Sequence, residues 1–390
     1  MKTLLFSTLF PNCVQPQHGG FVENRLRHLL SSGEVETRVV APVAWFPFKN
    51  GIFGKYATAA KIPHYEVRDD LNVYHPRYML IPKVGMNMAP EAIFRAVLPH
   101  IKKLMANGFE FDLIDAHYFY PDGVAAVMLA DAIGKPVVIT ARGSDLSLIP
   151  SFNKPRQKII WAAQRANAII TVCQALKNVL LELGIPDEKI TVLRNGVDLE
   201  KFRPPENREQ LRRRLGFSGK TVLSVGNLVE LKGHHLIIEA LLELKDVSLV
   251  VAGSGERQEF LQRLVSSLGL EDRVRFLGSV KHTELKDYYG AADMLVLASS
   301  REGWANVLLE SMACGTPVVA TKLWGTPEVV TAPESGLLID ERSVGAIAKG
   351  ISALYSSYPD RVKTRLYAEQ YSWEETTSGQ LKLFQEMINA

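Results

Sequence analysis

Only three cysteines, Cys13, Cys173 and Cys314, occur in the 390 residues. They are far apart, odd in number and without metal-ligand spacing, which argues against a disulfide framework or a zinc site and suits a reducing cytoplasm. No stretch approaches the roughly twenty consecutive apolar residues that span a bilayer, so any membrane contact is peripheral. A strong excess of charge is missing as well. The 45 Lys and Arg against 42 Asp and Glu leave a net +3, too little to draw the chain to nucleic acid. Asp-x-Asp is absent, as is any His, Cys, Asp and Glu cluster at ligand spacing, so neither a divalent metal nor another cofactor is expected. Nor is there a Gly-x-Ser-x-Gly elbow, a Walker loop or a kinase motif set. Low-complexity tracts and short-period repeats are also lacking.

What is present is a globular composition, 47% hydrophobic and 22% charged, on a chain too long for one ordinary core. The apolar run Thr3 to Phe10 is stopped by Pro11 and has no cleavage site after it, so it reads as a first strand rather than a leader. Strand and helix signals then alternate: Thr37 to Ala41, Leu113 to Ala116, a helix from Pro121 to Ile133, Pro136 to Thr140, and Ala168 to Val172. Such alternation predicts βαβ units and a mainly parallel sheet. Between Pro42 and about Pro90 the rhythm breaks into an aromatic, proline-containing stretch with Trp45, Phe46, Phe48, Phe53, Tyr56, Tyr74, His75 and Tyr78, read as a specialised insertion. A second alternating series begins at Thr221 and runs to Thr321. The expected division is an N-terminal domain over 1–200, a linker over 201–218, a second domain over 219–372 and a final amphipathic helix over 373–390. Two similar α/β halves predict a cleft between them.

The most informative residues are Glu302 and Glu310, separated by seven others across a predicted strand-to-helix junction. A carboxylate at a strand end and another one turn into a helix can both accept hydrogen bonds from vicinal hydroxyls. Asn306 suits the N-cap, and backbone N–H groups there and at Val307 could meet a phosphate. By itself such a pair reads more simply as a loop residue and a solvated helix residue. Lys232, one short loop beyond the strand Thr221 to Val225, is placed to neutralise a leaving diphosphate, and Gly233 allows close backbone approach. The turn with Gly253 and Gly255 could approach a nucleotide but lacks the third glycine of a dinucleotide fingerprint. Gly19 and Gly20, between the first strand and first helix, could meet phosphate or acceptor hydroxyls.

Taken in order, Asn195-Gly-Val-Asp198, Val225-Gly-Asn-Leu228 with Lys232, Val251 to Glu256, and the Glu302 to Glu310 segment resemble the retaining glycosyltransferases of family 4 over nearly the whole chain. The wording from Ala116 to Gly123, with Ala141 to Ser144, resembles the branch containing teichuronic acid biosynthesis transferases. The resemblance implies the GT-B fold: two Rossmann-like domains facing a central cleft, with the C-terminal helix crossing back to the N-terminal domain. It also implies a nucleotide-sugar donor on the C-terminal domain and a glycan or lipid-linked glycan acceptor on the other, in cell-envelope polysaccharide assembly at the cytoplasmic face of the membrane. In that frame Glu310 holds ribose hydroxyls, Glu302 contacts the transferred sugar, Lys232 holds the diphosphate and His117 completes the sugar pocket. Asn227 stands where the family commonly has an arginine, and Arg142, Arg301 and Lys322 are the cations that could replace it. Arg142 stands where histidine is commoner and could meet phosphate or an acidic acceptor, while Asp145 could share that role or hold Arg142 structurally. Two other functions are compatible with these motifs, a nucleotide-sugar epimerase and a non-catalytic sugar-nucleotide sensor.

Overall fold

The computed structural model describes residues 1–48, 50, 52, 54–80 and 85–389, without the side chains of Lys55 and Tyr56. Two compact units emerge: Met1–Arg194 together with Glu375–Ala390, and Asn195–Glu374.

In the first unit the strands are β1 (Lys2–Phe6), β2 (Glu36–Val40), β3 (Val43–Ala44), β4 (Tyr65–Arg68), β5 (Leu71–Tyr74), β6 (Arg77–Tyr78), β7 (Leu113–His117), β8 (Val137–Ala141), β9 (Ala168–Thr171) and β10 (Ile190–Val192). Eight of them form one sheet in the order β10-β9-β8-β7-β1-β2-β5-β4. Its pairs are parallel except β4 with β5. The continuous burial of β7 and β8 is what strands covered on both faces require. β3 pairs with β6 in a separate two-stranded ribbon.

The stretch read as an insertion thus contains structure. Tyr65 to Tyr74 is a hairpin whose turn residues, Asp69 and Asp70, both have positive φ, 43° and 69°. Buried Leu71 and Val73 alternate with partly exposed Asn72 and Tyr74, the period of a half-buried strand. Asp-Asp marks such a turn less plainly than Asn-Gly. His75 and Tyr78 are buried, whereas Trp45 and Phe48 are exposed. Phe53 and the side chain of Tyr56 lie outside the described residues.

The second unit holds β11 (Lys220–Val225), β12 (Val247–Ala252), β13 (Val274–Gly278), β14 (Met294–Leu297), β15 (Val318–Thr321) and β16 (Gly336–Ile339). All run parallel in the order β13-β12-β11-β14-β15-β16. That is the Rossmann order, in which the direction of progression reverses between the first and fourth strands. Residues 201–218, expected as a linker, belong to this unit. Phe202, Leu211 and Phe217 are buried, so apolar side chains in a polar run anchor the segment to the second core.

The last helix, Trp373–Asn389, joins the first unit from Glu375 onward. Its Leu381, Leu383 and Phe384 share a core with Leu29, Leu113 and Val138. Phe384 is fully buried, so Phe384→Ala should destabilise the first unit by about 3–5 kcal/mol. Hydrogen exchange along β7 should rise while exchange along β11 stays unchanged; equal effects on both would contradict two separate cores.

Candidate functional site

In an open parallel sheet, loops leaving the strands on either side of the order reversal diverge and leave a crevice at the carboxyl ends. In the second unit that point lies between β11 and β14. The loop after β11 carries Asn227 and a short 3-10 turn, Glu230–Lys232, and the loop after β14 carries Glu302. Gly233 adopts a left-handed backbone, φ 69°, where a Cβ would lie 2.2 Å from the Ala298 carbonyl oxygen. Only glycine lets the Lys232 loop press against the end of β14 this closely. Ser300 N–H donates to the Leu231 carbonyl at 2.9 Å and closes the same corner.

Lys232 Nζ consequently donates to Glu302 Oε1 at 2.5 Å, and Ser299 Oγ–H donates to the same oxygen at 2.6 Å. The two charged side chains retain 21% and 11% of their exposure, so the pair is largely shielded from water. Glu310 is held separately. His282 Nε2 meets its Oε1 at 2.8 Å and Tyr289 OH donates to its Oε2 at 2.9 Å. Lys201 Nζ reaches His282 Nδ1 at 2.7 Å; because lysine only donates, the ring proton lies on Nε2 and points at the carboxylate. Burial and the adjacent Glu310 carboxylate push the Tyr289 phenol well up.

Asn306 is the first helical residue rather than the N-cap, which is Ala305. Its Oδ1 is turned to the Asn195 side-chain amide at 3.2 Å. Val307, in the same first turn, is half-buried. Gly253 takes a role other than the one expected. Its N–H donates to the Gly278 carbonyl at 2.8 Å and is spent within the sheet, while a Cβ would lie 1.9 Å from the Gly226 carbonyl oxygen. Gly255 packs in the same way under Leu228. Both glycines therefore buttress the Gly226–Leu228 loop. The Asn227 carbonyl faces the ring of His234, a buried residue whose Nδ1 is 2.9 Å from Ser224 Oγ. Burial pushes the His234 imidazole down to about 4. Of the cations considered beside Asn227, Lys322 pairs with Asp340 at 2.9 Å. Arg301 has no ion pair or side-chain hydrogen bond among the described residues.

The first sheet reverses its order between β1 and β7, and His117 ends β7. Ser7 Oγ–H donates to the His117 carbonyl at 3.0 Å, tying the two strand ends. Gly19, left-handed, and Gly20 open the helix that follows β1, and no atom comes within 4 Å of a Cβ built on Gly20. Arg142 lies over the Phe21 ring, 5.7 Å from its centroid, which brings this turn beside β8. Arg142 Nη2 donates to His117 Nδ1 at 2.6 Å. The ring proton must then sit on Nε2, which donates to Asp115 Oδ2 at 3.1 Å. Asp115 Oδ2 also accepts from Gln380 Nε2 at 3.2 Å, and Gln380 Oε1 accepts from Arg25 Nε at 2.9 Å. His117 is fully buried with both nitrogens engaged, so the expected contact with a sugar hydroxyl would require one of these bonds to open. Asp145 accepts from backbone N–H groups: Phe119 at 2.7 Å, Gly143 at 2.6 Å and Arg142 at 3.0 Å.

Ser299, His282, Tyr289, Lys201, Gln380 and Arg25 were missed from sequence. Ser299 alone had a signal, its position just ahead of Glu302. The others lie far along the chain from the groups they hold.

Comparison with known proteins shows what the chain is similar to. A family model described as Glycosyl transferases group 1 matches residues 207–371, and one described as Glycosyltransferase Family 4 matches 56–201. The chain is 29% identical over 359 residues to the teichuronic acid biosynthesis glycosyltransferase TuaC of Bacillus subtilis, covering 90% of this chain and 88% of that one. It is 33% identical over 309 residues to D-inositol 3-phosphate glycosyltransferase of Corynebacterium urealyticum, covering 72% and 73%. Among solved structures it resembles sucrose-phosphate synthase of Thermosynechococcus elongatus, with a TM-score of 0.78 at 17% identity, covering 100% of this chain and 99% of that one. It also resembles Anabaena HepE in complex with UDP, with a TM-score of 0.73 at 21% identity, covering 99% and 100%.

Burial pushes the His117 imidazole down to about 4, opposed by Asp115 and reinforced by Arg142. A base whose folded pKa is depressed binds its proton mainly after unfolding, so its stabilising effect is present above pH 6.5 and is lost as pH falls toward 4. Wild type should therefore take up about one more proton on unfolding near pH 5 than His117→Asn. Calorimetry in buffers of differing ionisation enthalpy measures this uptake, and equal uptake by both would show that His117 is already charged in the fold.

Proposed function

Because the chain belongs to the group 1, family 4 glycosyltransferases and has the GT-B fold, we propose that it transfers a sugar with retention of configuration from a nucleotide-sugar donor to a hydroxyl of a glycan or lipid-linked glycan. Cell-envelope polysaccharide assembly, in the cytoplasm with the acceptor at the inner membrane face, is the proposed setting. TuaC, named for teichuronic acid biosynthesis, supports that setting.

The observation that carries the reading is the shielded Lys232–Glu302 pair where the strand order of the second sheet reverses. In the free protein each charge satisfies the other. A donor supplies the groups that replace this pairing: its diphosphate takes Lys232, and hydroxyls of its sugar donate to Glu302. Charge on the diphosphate grows as the glycosidic C–O bond breaks, and a preformed ammonium in a shielded site lowers that barrier. The acceptor oxygen bonds to the anomeric carbon on the face the phosphate leaves, and its proton passes to the departing phosphate oxygen. Glu310 accepts ribose hydroxyls on the lone pairs that His282 and Tyr289 leave unused. Arg301 offers the positive charge lost at Asn227. With these cations in place no divalent metal is needed. On the first unit Arg142, oriented by His117, reads an acidic group of the acceptor.

Lys232→Ala and Glu310→Ala should each lower transfer by about 100-fold or more with circular dichroism unchanged; full turnover in either would sink the assignment. In EDTA, a nucleoside diphosphate at a hundred times its dissociation constant should add about 2.7 kcal/mol to the stability of the second unit. UDP is the first to try, since HepE binds it. Stabilisation that appears only with added magnesium would refute the metal-free reading.

A further inference from the structure

The widest apolar cavity among those described lies on the first unit, well along the chain from any residue given a role above. It encloses about 970 Å³ between the ribbon of β3 and β6 on one side and the start of the Ala89–Ala106 helix on the other. This falls at the upper end of the roughly 300–1,000 Å³ typical of small-molecule sites. Trp45, Phe46, Met79, Leu80 and Met88 line it. Trp45, Met79 and Met88 remain 47%, 73% and 63% exposed, a clustering of large apolar groups that monomeric surfaces rarely leave uncovered.

Its walls are pinned by hydrogen bonds. Trp45 N–H donates to the Tyr78 carbonyl at 2.7 Å, Tyr120 OH to the Met86 carbonyl at 2.5 Å, and Lys158 Nζ to the Asn87 carbonyl at 2.6 Å. The charged lining is mostly cationic. Lys158 is neutralised by Glu91, but Arg77 and Arg95 have no ion-pair partner among the described residues. Arg77 donates one amino group to the Ile62 carbonyl, while its Nη1 is buried with no hydrogen-bond partner among the described residues. Arg95 is exposed and makes no ion pair or side-chain hydrogen bond among the described residues.

An apolar trough with two uncompensated guanidinium groups matches an amphiphile that has one anionic end. Guanidinium is the side chain best shaped to grip a phosphate, and burying Nη1 without a partner is unfavourable until an acceptor arrives. We propose that this groove binds a lipid phosphate, its alkyl or prenyl chain along Trp45, Met79 and Met88 and its phosphate on Arg77 and Arg95. Taken with the acceptor class proposed above, on which its biological meaning rests, it is the site that holds the lipid end of a lipid-linked acceptor. A bare sugar or a soluble acid would use the arginines and leave the apolar walls wet.

Monomeric alkyl phosphates test this by titration calorimetry on the full chain. Dodecyl phosphate should bind, inorganic phosphate should not, and dodecyl maltoside should bind at least tenfold more weakly. Each two-carbon extension from octyl to dodecyl phosphate should tighten binding by about tenfold if the added methylenes are buried. Met88→Asp, which places a favoured residue at the helix N-cap, and Arg95→Glu should each weaken dodecyl phosphate by at least tenfold and leave UDP affinity unchanged. Affinity independent of chain length would overturn the proposal. So would binding only to phosphatidylglycerol vesicles, since the patch would then rest on a bilayer surface, or a dimer that Met88→Asp dissociates in a protein indifferent to dodecyl phosphate. Binding of dodecyl phosphate by a chain that ignores every nucleoside diphosphate would uphold the groove and reject the donor reading instead.

Discussion

Reversal of strand order within a parallel sheet is the constraint from which the rest follows. Where two neighbouring strands send their chains to opposite sides, the loops at their carboxyl ends separate and backbone groups there face ligand or water instead of another loop. Both units of this protein place their polar side chains at such a point: Lys232 and Glu302 beyond β11 and β14, His117 and the Gly19 turn beyond β7 and β1. Beyond the exposed Lys2 and Lys220 that open β1 and β11, the strands flanking these points are buried, so the charges sit on an apolar base that sharpens their mutual interaction.

Charge at the two points is organised differently. In the second unit one cation meets one carboxylate in a largely shielded pair, which a ligand carrying both an anion and hydroxyls can divide. The first unit strings Arg142, His117, Asp115, Gln380 and Arg25 into a fully buried chain in which the neutral imidazole accepts from one side and donates to the other. Gln380 comes from the last helix, so its presence beside Asp115 depends on the apolar seam made by Leu381, Leu383 and Phe384. Packing of the C-terminal segment and the tautomer of a histidine some 260 positions earlier are thus parts of one arrangement.

Glycine serves this chain mainly as a spacer between backbones. Gly233 lets a loop lie on the carbonyl of Ala298, and Gly253 lets one turn lie on another. From sequence the Gly253 turn could approach a nucleotide, and in the fold its N–H is paired with the Gly278 carbonyl. Close approach to a ligand and close approach to another loop leave the same mark in a sequence, because both need only the absence of a Cβ.

Local pattern was enough for the two α/β series and the strand end at Val225, and it singled out Lys232, Glu302 and Glu310 as candidates, since period, run length and turn residues act over a few positions. It was also enough, through its motifs, for the family. The Tyr65 to Tyr74 hairpin has a strand's alternation but turns at Asp-Asp, which marks a hairpin less plainly than Asn-Gly. Membership of residues 201–218 in the second core was hidden by their polar composition, with only Phe202, Leu211 and Phe217 turned inward. Which partners hold each site residue could be decided only by folding. His282 and Tyr289 on Glu310, Ser299 on Glu302, and Gln380 on Asp115 are joined by the stacking order of strands and the docking of the last helix, and that order is set by how whole apolar faces cover one another, a property no short window of sequence contains.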